Sequence, residues 1–384
     1  MIKMPKESLT MKIESEVFKW LKDSSGWNNE ELAKRLKTSV ETIKKFETGE
    51  KDPSLRQLRE LSTIFKRPIA SFFLSKPKLE KPKPKDYRLI PEKENQFDKK
   101  TLLVLRKSRH LQQVAKELSI NINYKIDSKL KRGKISEKPE IIAKYYRDLV
   151  QLSEEKQIKF KNPYELFHYL RDVLEELNIY VFQFSMPVED ARGFVFVDDT
   201  PYIIAVNTAD SIEARLFSLM HEFAHILLGE SVIDMPDPFL SSRSQIVKWC
   251  NEFSASFLLP KNLAIKLFDS HRDNLTEKST LKTLSNRYKI SKAMLLVNMN
   301  RLNYISNNDL NTIINIKPKV KKEGKSKGGV GIPSDKKRLS EMGNKFISLV
   351  ANNFDKEKIT YTDALNYLSI KSKKFNKLLS QAKK

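Results

Sequence analysis

The stretch from Leu216 to Gly229 constrains this chain more than any other, because it sets two histidines four residues apart inside a strongly apolar run. Residues four apart share one face of an α-helix, so His221 and His225 can point at the same metal ion. Glu222 lies one residue after His221, where its carboxylate can hold and deprotonate a water bound to that metal. The spacing therefore predicts a zinc site on a helix, with Glu222 as its catalytic base.

Signals for both ends of such a helix flank the pattern. Asp210, followed three residues later by Glu213, reads as an N-cap with its N3 partner, and Gly229 is a natural stop. The alternative interpretation is two core histidines packed beside a charge. The helical context favours the metal site.

Composition limits the class of protein. The length of 384 residues allows two or three domains, and 40% hydrophobic with 31% charged residues is typical of a soluble chain. No apolar run approaches the roughly 20 residues of a membrane span, and we expect neither a membrane segment nor a signal peptide. The single cysteine, Cys250, excludes a disulfide framework and a cysteine-rich structural zinc site, and it fits a reducing cytoplasm. The net charge of +23 predicts attraction to polyanions.

The N-terminal quarter predicts a series of short helices. Asn28 to Leu36 reads as a capped helix, a turn at 38–40 follows, Glu41 to Glu47 reads as a second helix, and Ser54 caps a third helix over Leu55 to Phe65. Two helices joined by a three- to four-residue turn give the helix-turn-helix geometry. A small protein-interaction bundle is the alternative.

This region resembles the Cro/C1-type (XRE) helix-turn-helix family, with Leu32-Ala33, Ser39, Ile43 and Phe46-Glu47-Thr48-Gly49 as the matching residues and Phe46 in place of the usual tryptophan. The resemblance implies that Ile43 and Phe46 pack inward. It also implies a recognition helix that presents five residues to double-stranded DNA: Ser39, Glu41, Thr42, Lys44 and Lys45. Because Glu41 and Glu47 are acidic, base readout does not follow from the resemblance alone.

Beyond a proline- and lysine-rich stretch, the pattern is helical to about Leu177 and then changes period. Strands are predicted over 179–182, 193–197 and 202–206, the last two forming a hairpin directly before the His-Glu-x-x-His helix. A small sheet followed by such a helix is the architecture of zinc peptidases, in which an edge strand can pair with an extended substrate. Residues 231–244 read as a loop, and Gln245 to Leu259 as a helix.

The hairpin, the His-Glu-x-x-His helix and the run from Trp249 to Pro260 together resemble the ImmA/IrrE family of metallo-endopeptidases, whose members often carry an XRE domain. The resemblance implies a mainly α fold with a small β-sheet (α+β), in which an all-α helix-turn-helix domain precedes a zincin-like metallopeptidase domain and a helical C-terminal region. It divides the chain into a helix-turn-helix domain (1–76), a Pro/Lys-rich linker (77–97), a zinc metallopeptidase domain (98–316), a Lys/Gly-rich flexible loop (317–337) and a helical C-terminal region (338–384).

A catalytic zinc takes three protein ligands and a water. The resemblance places the third ligand, a glutamate, one helical turn before Asn251, but that position holds Val247, which cannot coordinate zinc. Three interpretations stay open: a substitute carboxylate (Glu252, Asp234 or Asp237), a weak site completed by Asn251 or water, or a domain that has lost its metal.

The sequence thus predicts a cytoplasmic, DNA-associated, zinc-dependent endopeptidase. By resemblance its substrate is a repressor-like or antitoxin-like protein whose cleavage controls transcription. The alternative is an XRE-type regulator whose peptidase-like domain is catalytically inactive and serves as a sensor or partner-binding module. The substrate, the operator, the inducing signal and the oligomeric state do not follow from the sequence.

Overall fold

A computed structural model of the chain describes residues 9–78, 83–86, 96–126, 130–234, 244–315 and 334–382. The chain divides into two compact units. The first consists of Met1–Lys83 and Asn95–Lys107, and the second of Pro84–Glu94 and Ser108–Lys384. Helices dominate both units, and the second also contains the sheet, so the expected α+β class is confirmed.

The first unit is a bundle of short helices whose starts are encoded locally. Side chains of Asn28, Ser39 and Ser54 each accept a hydrogen bond from the backbone N–H three residues on, which confirms the caps predicted at Asn28 and Ser54 and adds one at Ser39. At Asn28 and Ser54 the N3 residue completes a capping box. The elements are α1 (Ser15–Asp23), α2 (Asn29–Leu36), α3 (Val40–Thr48), α4 (Leu55–Phe65) and a 3₁₀ turn (Ile69–Phe73).

The core of the first unit is built from one apolar face of each helix. Ile43 and Phe46 on α3 are fully buried, as predicted, and the Phe46 ring meets Phe18 edge-on at 5.9 Å between centroids. Such edge-to-face pairs add to the stabilisation from burial. Burial of these two residues fixes which face of α3 remains exposed.

The second unit surrounds its sheet with helices. Its first helix, α5 (Lys99–Asn121), belongs to the first unit up to Lys107 and to the second from Ser108. The short α7 and α11 were not predicted from the sequence. The helices are α6 (Pro139–Leu149), α7 (Glu154–Lys159), α8 (Pro163–Glu176), α9 (Ile212–Leu228), α10 (Gln245–Leu258), α11 (Lys261–Asp269), α12 (Lys278–Tyr288), α13 (Lys292–Arg301), α14 (Asn307–Asn315), α15 (Ser334–Asp355), α16 (Tyr361–Leu368) and α17 (Phe375–Ala382).

Five strands form one mixed sheet in the order β1-β5-β3-β4-β2. The predicted hairpin is confirmed: β3 runs antiparallel to β4, with Gly193 opposite Val206, and β2 lies parallel to β4 on the other side. The strands are β1 (Lys85–Asp86), β2 (Ile179–Phe184), β3 (Gly193–Phe196), β4 (Tyr202–Asn207) and β5 (Val232–Asp234).

Two segments predicted as loop or linker are strands instead. β5 lies inside the predicted loop 231–244 and pairs antiparallel with β3, while Lys85 and Asp86 of the predicted linker pair parallel with β5. Lys85 Nζ also meets Glu230 Oε2 at 2.7 Å. Runs of two or three residues are too short to show an alternating pattern, so only the neighbouring strand reveals them. As a result, β3 is an internal strand with β5 and β4 on its two sides.

The C-terminal helices are part of the second unit. Arg171 on α8 is fully buried, pairs with Glu175 at 3.0 Å and donates to the carbonyl of Ser340 at 2.6 Å. Gly343 interrupts α15 at φ +79°, and a Cβ there would lie 2.0 Å from Glu175 Oε1. A glycine is therefore required where α15 crosses this ion pair.

The segment over 281–302, which resembles a helix-turn-helix, folds as α12 and α13 and supplies apolar side chains to the core of the second unit. Of the Lys/Gly-rich stretch predicted to be a flexible loop (317–337), residues 317–333 lie outside the described residues, and 334–337 are the first turn of α15 rather than loop. No helix in the described ranges is long and apolar enough to cross a membrane.

Candidate metal centre and helix-turn-helix surface

The helix that carries the His-Glu-x-x-His pattern is α9, and its end at Gly229 (φ +78°) is as predicted. Its N-cap is Ser211, whose hydroxyl accepts from the Ala214 N–H at 3.3 Å, so the prediction of Asp210 was wrong by one residue. The Asp210 carboxylate instead accepts from the Ser211 N–H at 3.0 Å. Serine and aspartate are both good caps, and sequence alone does not choose between adjacent ones.

The two histidines converge as the spacing predicts. His221 Nε2 and His225 Nε2 lie 3.1 Å apart, and both side chains are fully buried in the second unit. Two nitrogens bound tetrahedrally to one zinc ion at about 2.0–2.1 Å stand about 3.3 Å apart. The observed separation therefore fits two ligands of a single metal ion.

Glu222 lies against the sheet rather than in solvent. It is fully buried, and Gly193 at the start of β3 approaches it so closely that a Cβ on Gly193 would lie 2.6 Å from Glu222 Oε1. Any larger residue at that position would displace the carboxylate. The residue next to His221 thus has a defined place beside β3.

Cys250 on α10 reaches the outer side of the second histidine. Its Sγ lies 3.5 Å from His225 Nδ1, and the cysteine is fully buried. This contact was not predicted from the sequence. No local pattern signals it, because the two residues belong to different helices.

The third-ligand position is buried but apolar. Val247 is 5% exposed and lies one turn before Asn251, on the same face of α10. Glu252 is exposed, which argues against it as a substitute ligand. Asn251 Oδ1 is buried and accepts no hydrogen bond within the described ranges. The side chain of Asp234 and all of Asp237 lie outside the described residues.

The donor set fits a divalent cation in part. Among the described residues, no group of three His, Cys, Asp or Glu side chains is arranged to hold a metal ion. The two imidazole nitrogens nevertheless suit zinc. These residues fit a zinc ion held mainly by His221 and His225.

Asn207, a residue not predicted to matter from the sequence, connects the end of β4 to the segment between β2 and β3. Its side-chain amide donates to the carbonyls of Met186 and Ala191 and accepts from the N–H groups of Met186 and Ala209. The sequence contains one indication of this role, since Asn207 is a polar residue at the end of an apolar strand. A buried amide at such a place must form several hydrogen bonds.

The predicted DNA-facing residues lie on or beside α3. Ser39 is the N-cap, and its hydroxyl accepts from the Thr42 N–H at 3.2 Å. Ser39, Glu41 and Lys44 are exposed, whereas Thr42 and Lys45 are half-buried. Lys45 lies 3.7 Å from Glu41 in an i, i+4 pair, so one of the two acidic residues on this helix is balanced on its own surface.

The other acidic residue, Glu47, is held by neighbouring helices of the same unit. Its carboxylate pairs with Lys22 and accepts from Asn29 Nδ2 at 2.9 Å. Burial favours a higher pKa for the Glu47 carboxyl, but the hydrogen bonds from Lys22 and Asn29 outweigh it and hold the pKa below its ordinary value. Glu47 is therefore a structural residue that ties α3 to α1 and α2.

Family comparisons agree with both regions. Residues 174–300, which include the sheet strands β2 to β5, α9 and α10, match the model of the IrrE N-terminal-like domain, family M78 of the peptidases. The chain carries an IrrE N-terminal-like domain. Residues 18–72 match a helix-turn-helix model, so the expected resemblance is confirmed in both parts. No curated protein and no solved structure gave a significant match.

The two matches define the protein at a coarse level. It joins a helix-turn-helix domain, of a type that binds DNA, to a peptidase-like IrrE N-terminal-like domain. His221, Glu222, His225 and Cys250 all fall inside the matched range of the IrrE N-terminal-like domain.

Proposed function

We propose that this protein is a cytoplasmic, DNA-associated zinc endopeptidase that cleaves a repressor-like or antitoxin-like protein and so controls transcription. The observation that supports it most is the approach of His221 Nε2 to His225 Nε2 at 3.1 Å, with Glu222 on the same buried helix. A peptidase-like family match over the same residues supports this interpretation.

In this mechanism His221 and His225 hold zinc, with Asn251 as a further neutral donor. Zinc, when bound, supplies a Lewis acid that polarises the scissile carbonyl. Glu222 accepts a proton from the attacking water as the water oxygen bonds to the carbonyl carbon. The same carboxyl then returns the proton to the amine nitrogen as the C–N bond breaks. Because Gly193 has no side chain, the Glu222 carboxylate has the space that both proton transfers need.

The helix-turn-helix domain brings the enzyme to double-stranded DNA. Exposed Lys44 and half-buried Lys45 on α3 supply cations for phosphate contacts, and Ser39, Glu41 and Thr42 stand where the family presents side chains to the groove. The chain's net charge of +23 favours the same partner. Affinity for a duplex that did not fall with added salt would contradict this part of the proposal.

One observation favours a second candidate, a transcription regulator whose peptidase-like domain senses a partner without cutting it. Val247 places a buried aliphatic side chain at the expected ligand position, and Glu252 is exposed. A site with only two histidines and a neutral donor binds zinc less firmly than a three-ligand site. The two candidates differ in whether zinc is retained and in whether Glu222 matters.

Metal analysis of the full-length protein separates them. A working zinc enzyme must keep its metal through gentle purification, so the enzyme should contain close to one zinc per chain, and less than about 0.2 would favour the inactive regulator. In cells, Glu222→Gln should abolish cleavage of the target and the linked transcriptional response. If both persist in that variant while the protein stays folded, catalysis is not its function.

A further inference from the structure

The only cysteine in the chain lies beside one of the two candidate zinc ligands. Cys250 Sγ is 3.5 Å from His225 Nδ1, and both side chains are fully buried. We propose that Cys250 is a positioning residue for His225, which it holds with Nε2 directed at the metal. This role rests on the metal site of the proposed function.

The two ring nitrogens of His225 face different neighbours. Nε2 faces His221 Nε2, while Nδ1 faces the sulfur of Cys250. In metalloproteins the ring nitrogen that does not bind the metal is usually hydrogen-bonded, which fixes the tautomer and the ring orientation. A thiol can donate to or accept from that nitrogen, so Cys250 has the chemistry needed for this task.

The sulfur is held in place by the helix that carries it. Ser254 Oγ donates to the Cys250 carbonyl at 2.8 Å. The neighbouring Trp249 donates its indole N–H to the Glu137 carbonyl at 2.8 Å, and its ring stacks on Phe253 with 5.7 Å between centroids. These contacts fix α10 around Cys250, so the sulfur can restrict the imidazole rather than follow it.

Because Val247 cannot bind the metal, the orientation of the His225 imidazole by Cys250 is more important here than in a three-ligand site. With an aliphatic residue at the third position, metal affinity depends more heavily on how well the two imidazoles are oriented. Loss of such an outer partner typically lowers metal affinity by about 10- to 100-fold. We therefore expect Cys250 to affect zinc affinity although it is not a ligand.

The first test measures zinc affinity of the full-length protein by competition with a chromophoric chelator. Cys250→Ala should bind zinc about 10- to 100-fold more weakly than wild type. Cys250→Ser, which keeps a polar atom that can meet Nδ1, should restore most of the affinity. Ser256→Ala removes a buried hydroxyl from the same helix and serves as the matched control, with affinity expected to equal that of wild type.

The second test needs no metal. Ring ¹⁵N chemical shifts of the five histidines, recorded on metal-free protein, report tautomer and hydrogen bonding. Cys250→Ala should shift the His225 ring signals and leave those of His110, His168 and His271 unchanged. Circular dichroism of each variant identifies any loss of folding that would mimic the effect.

The outcomes separate this role from the proposed function. If wild type binds zinc and Cys250→Ala binds it equally well, the positioning role is overturned while the peptidase proposal stands. Unchanged His225 ring shifts in that variant would overturn the role as well. If wild type binds no zinc at all, the proposed function fails and this role fails with it.

Discussion

Gly193 and Glu222 lie in direct contact across the interface between β3 and α9. A Cβ on Gly193 would lie 2.6 Å from Glu222 Oε1 and 3.0 Å from its Cγ, well inside van der Waals contact. The φ of this glycine does not require glycine, because its place in a strand suits any residue. Position 193 is therefore a glycine because the Glu222 side chain occupies the space of a Cβ, and not because the backbone conformation requires glycine.

This contact predicts coupling between the two positions. Gly193→Ala should destabilise the second unit by about 1–3 kcal/mol, the usual cost of overpacking a core. In a Glu222→Ala background, Gly193→Ala should lower the stability much less, because the carboxylate that would collide with the new Cβ is absent. Urea unfolding of the four proteins gives the coupling energy, and equal costs in both backgrounds would contradict the contact.

Val247→Glu should strengthen the metal site. The substitution puts a carboxylate at the position that the ImmA/IrrE resemblance assigns to the third ligand, on the same helical face as Asn251. Without metal, the buried charge should lower thermal stability, and zinc should raise it again, with affinity at least about 10-fold above wild type. Glu252→Ala, at an exposed position, is the control and should leave zinc affinity unchanged.

Glu47 should contribute stability that depends on pH. Its folded-state pKa lies below the ordinary value of 4.5, so the contribution is complete above that value and is lost as the pH falls through the folded-state pKa. At pH 7 Glu47→Gln should cost about 1.5–3 kcal/mol, the range for hydrogen bonds to charged groups. The difference from wild type should shrink in acid.

Thermal unfolding followed by tryptophan fluorescence checks this, because Trp20 and Trp27 both lie in the first unit. Glu41→Gln on the same helix removes an exposed partner and should change stability by less than about 0.5 kcal/mol. A Glu47→Gln cost that stayed constant from pH 7 to pH 3.5 would contradict the lowered pKa.

Lys44→Ala should weaken DNA binding by a similar factor whatever the DNA sequence. The exposed Lys44 on α3 is suited to a phosphate contact, so its loss should reduce the slope of log affinity against log salt by about 1. Arg59→Ala, an exposed cation on α4, is the comparison, and we expect a smaller change. Fluorescence anisotropy with a labelled duplex at several salt concentrations measures both. An unchanged slope for Lys44→Ala would remove it from the interface.

Arg171→Met should be one of the most damaging single changes in the second unit. It would leave the Glu175 carboxylate buried without its partner, at a cost of about 3–5 kcal/mol. The double variant Arg171→Met, Glu175→Met removes both charges at similar volume and should recover much of that loss. Denaturant unfolding compares the two; a double variant no more stable than the single one would show that the pair's other hydrogen bonds dominate.

Features determined by a few adjacent residues could be read from the sequence. The caps at Asn28, Ser39 and Ser54 act on N–H groups three residues away, so their effect is local. The β3–β4 hairpin follows from two short apolar runs on either side of a short turn. Likewise, the convergence of His221 and His225 follows from the 3.6-residue repeat of a single helix.

Features that depend on contacts between distant segments of the chain were decided only by the tertiary structure. β5 and β1 exist only because β3 and then β5 offer a hydrogen-bonding edge, which two- or three-residue runs cannot encode. The inward pairing of Glu47 with Lys22 and the contact of Cys250 with His225 join residues about 25 positions apart. The sequence thus determined where two candidate zinc ligands can lie, because their spacing is a property of one helix. The packing of α10 and β3 against α9 determined which side chains surround these two histidines and Glu222.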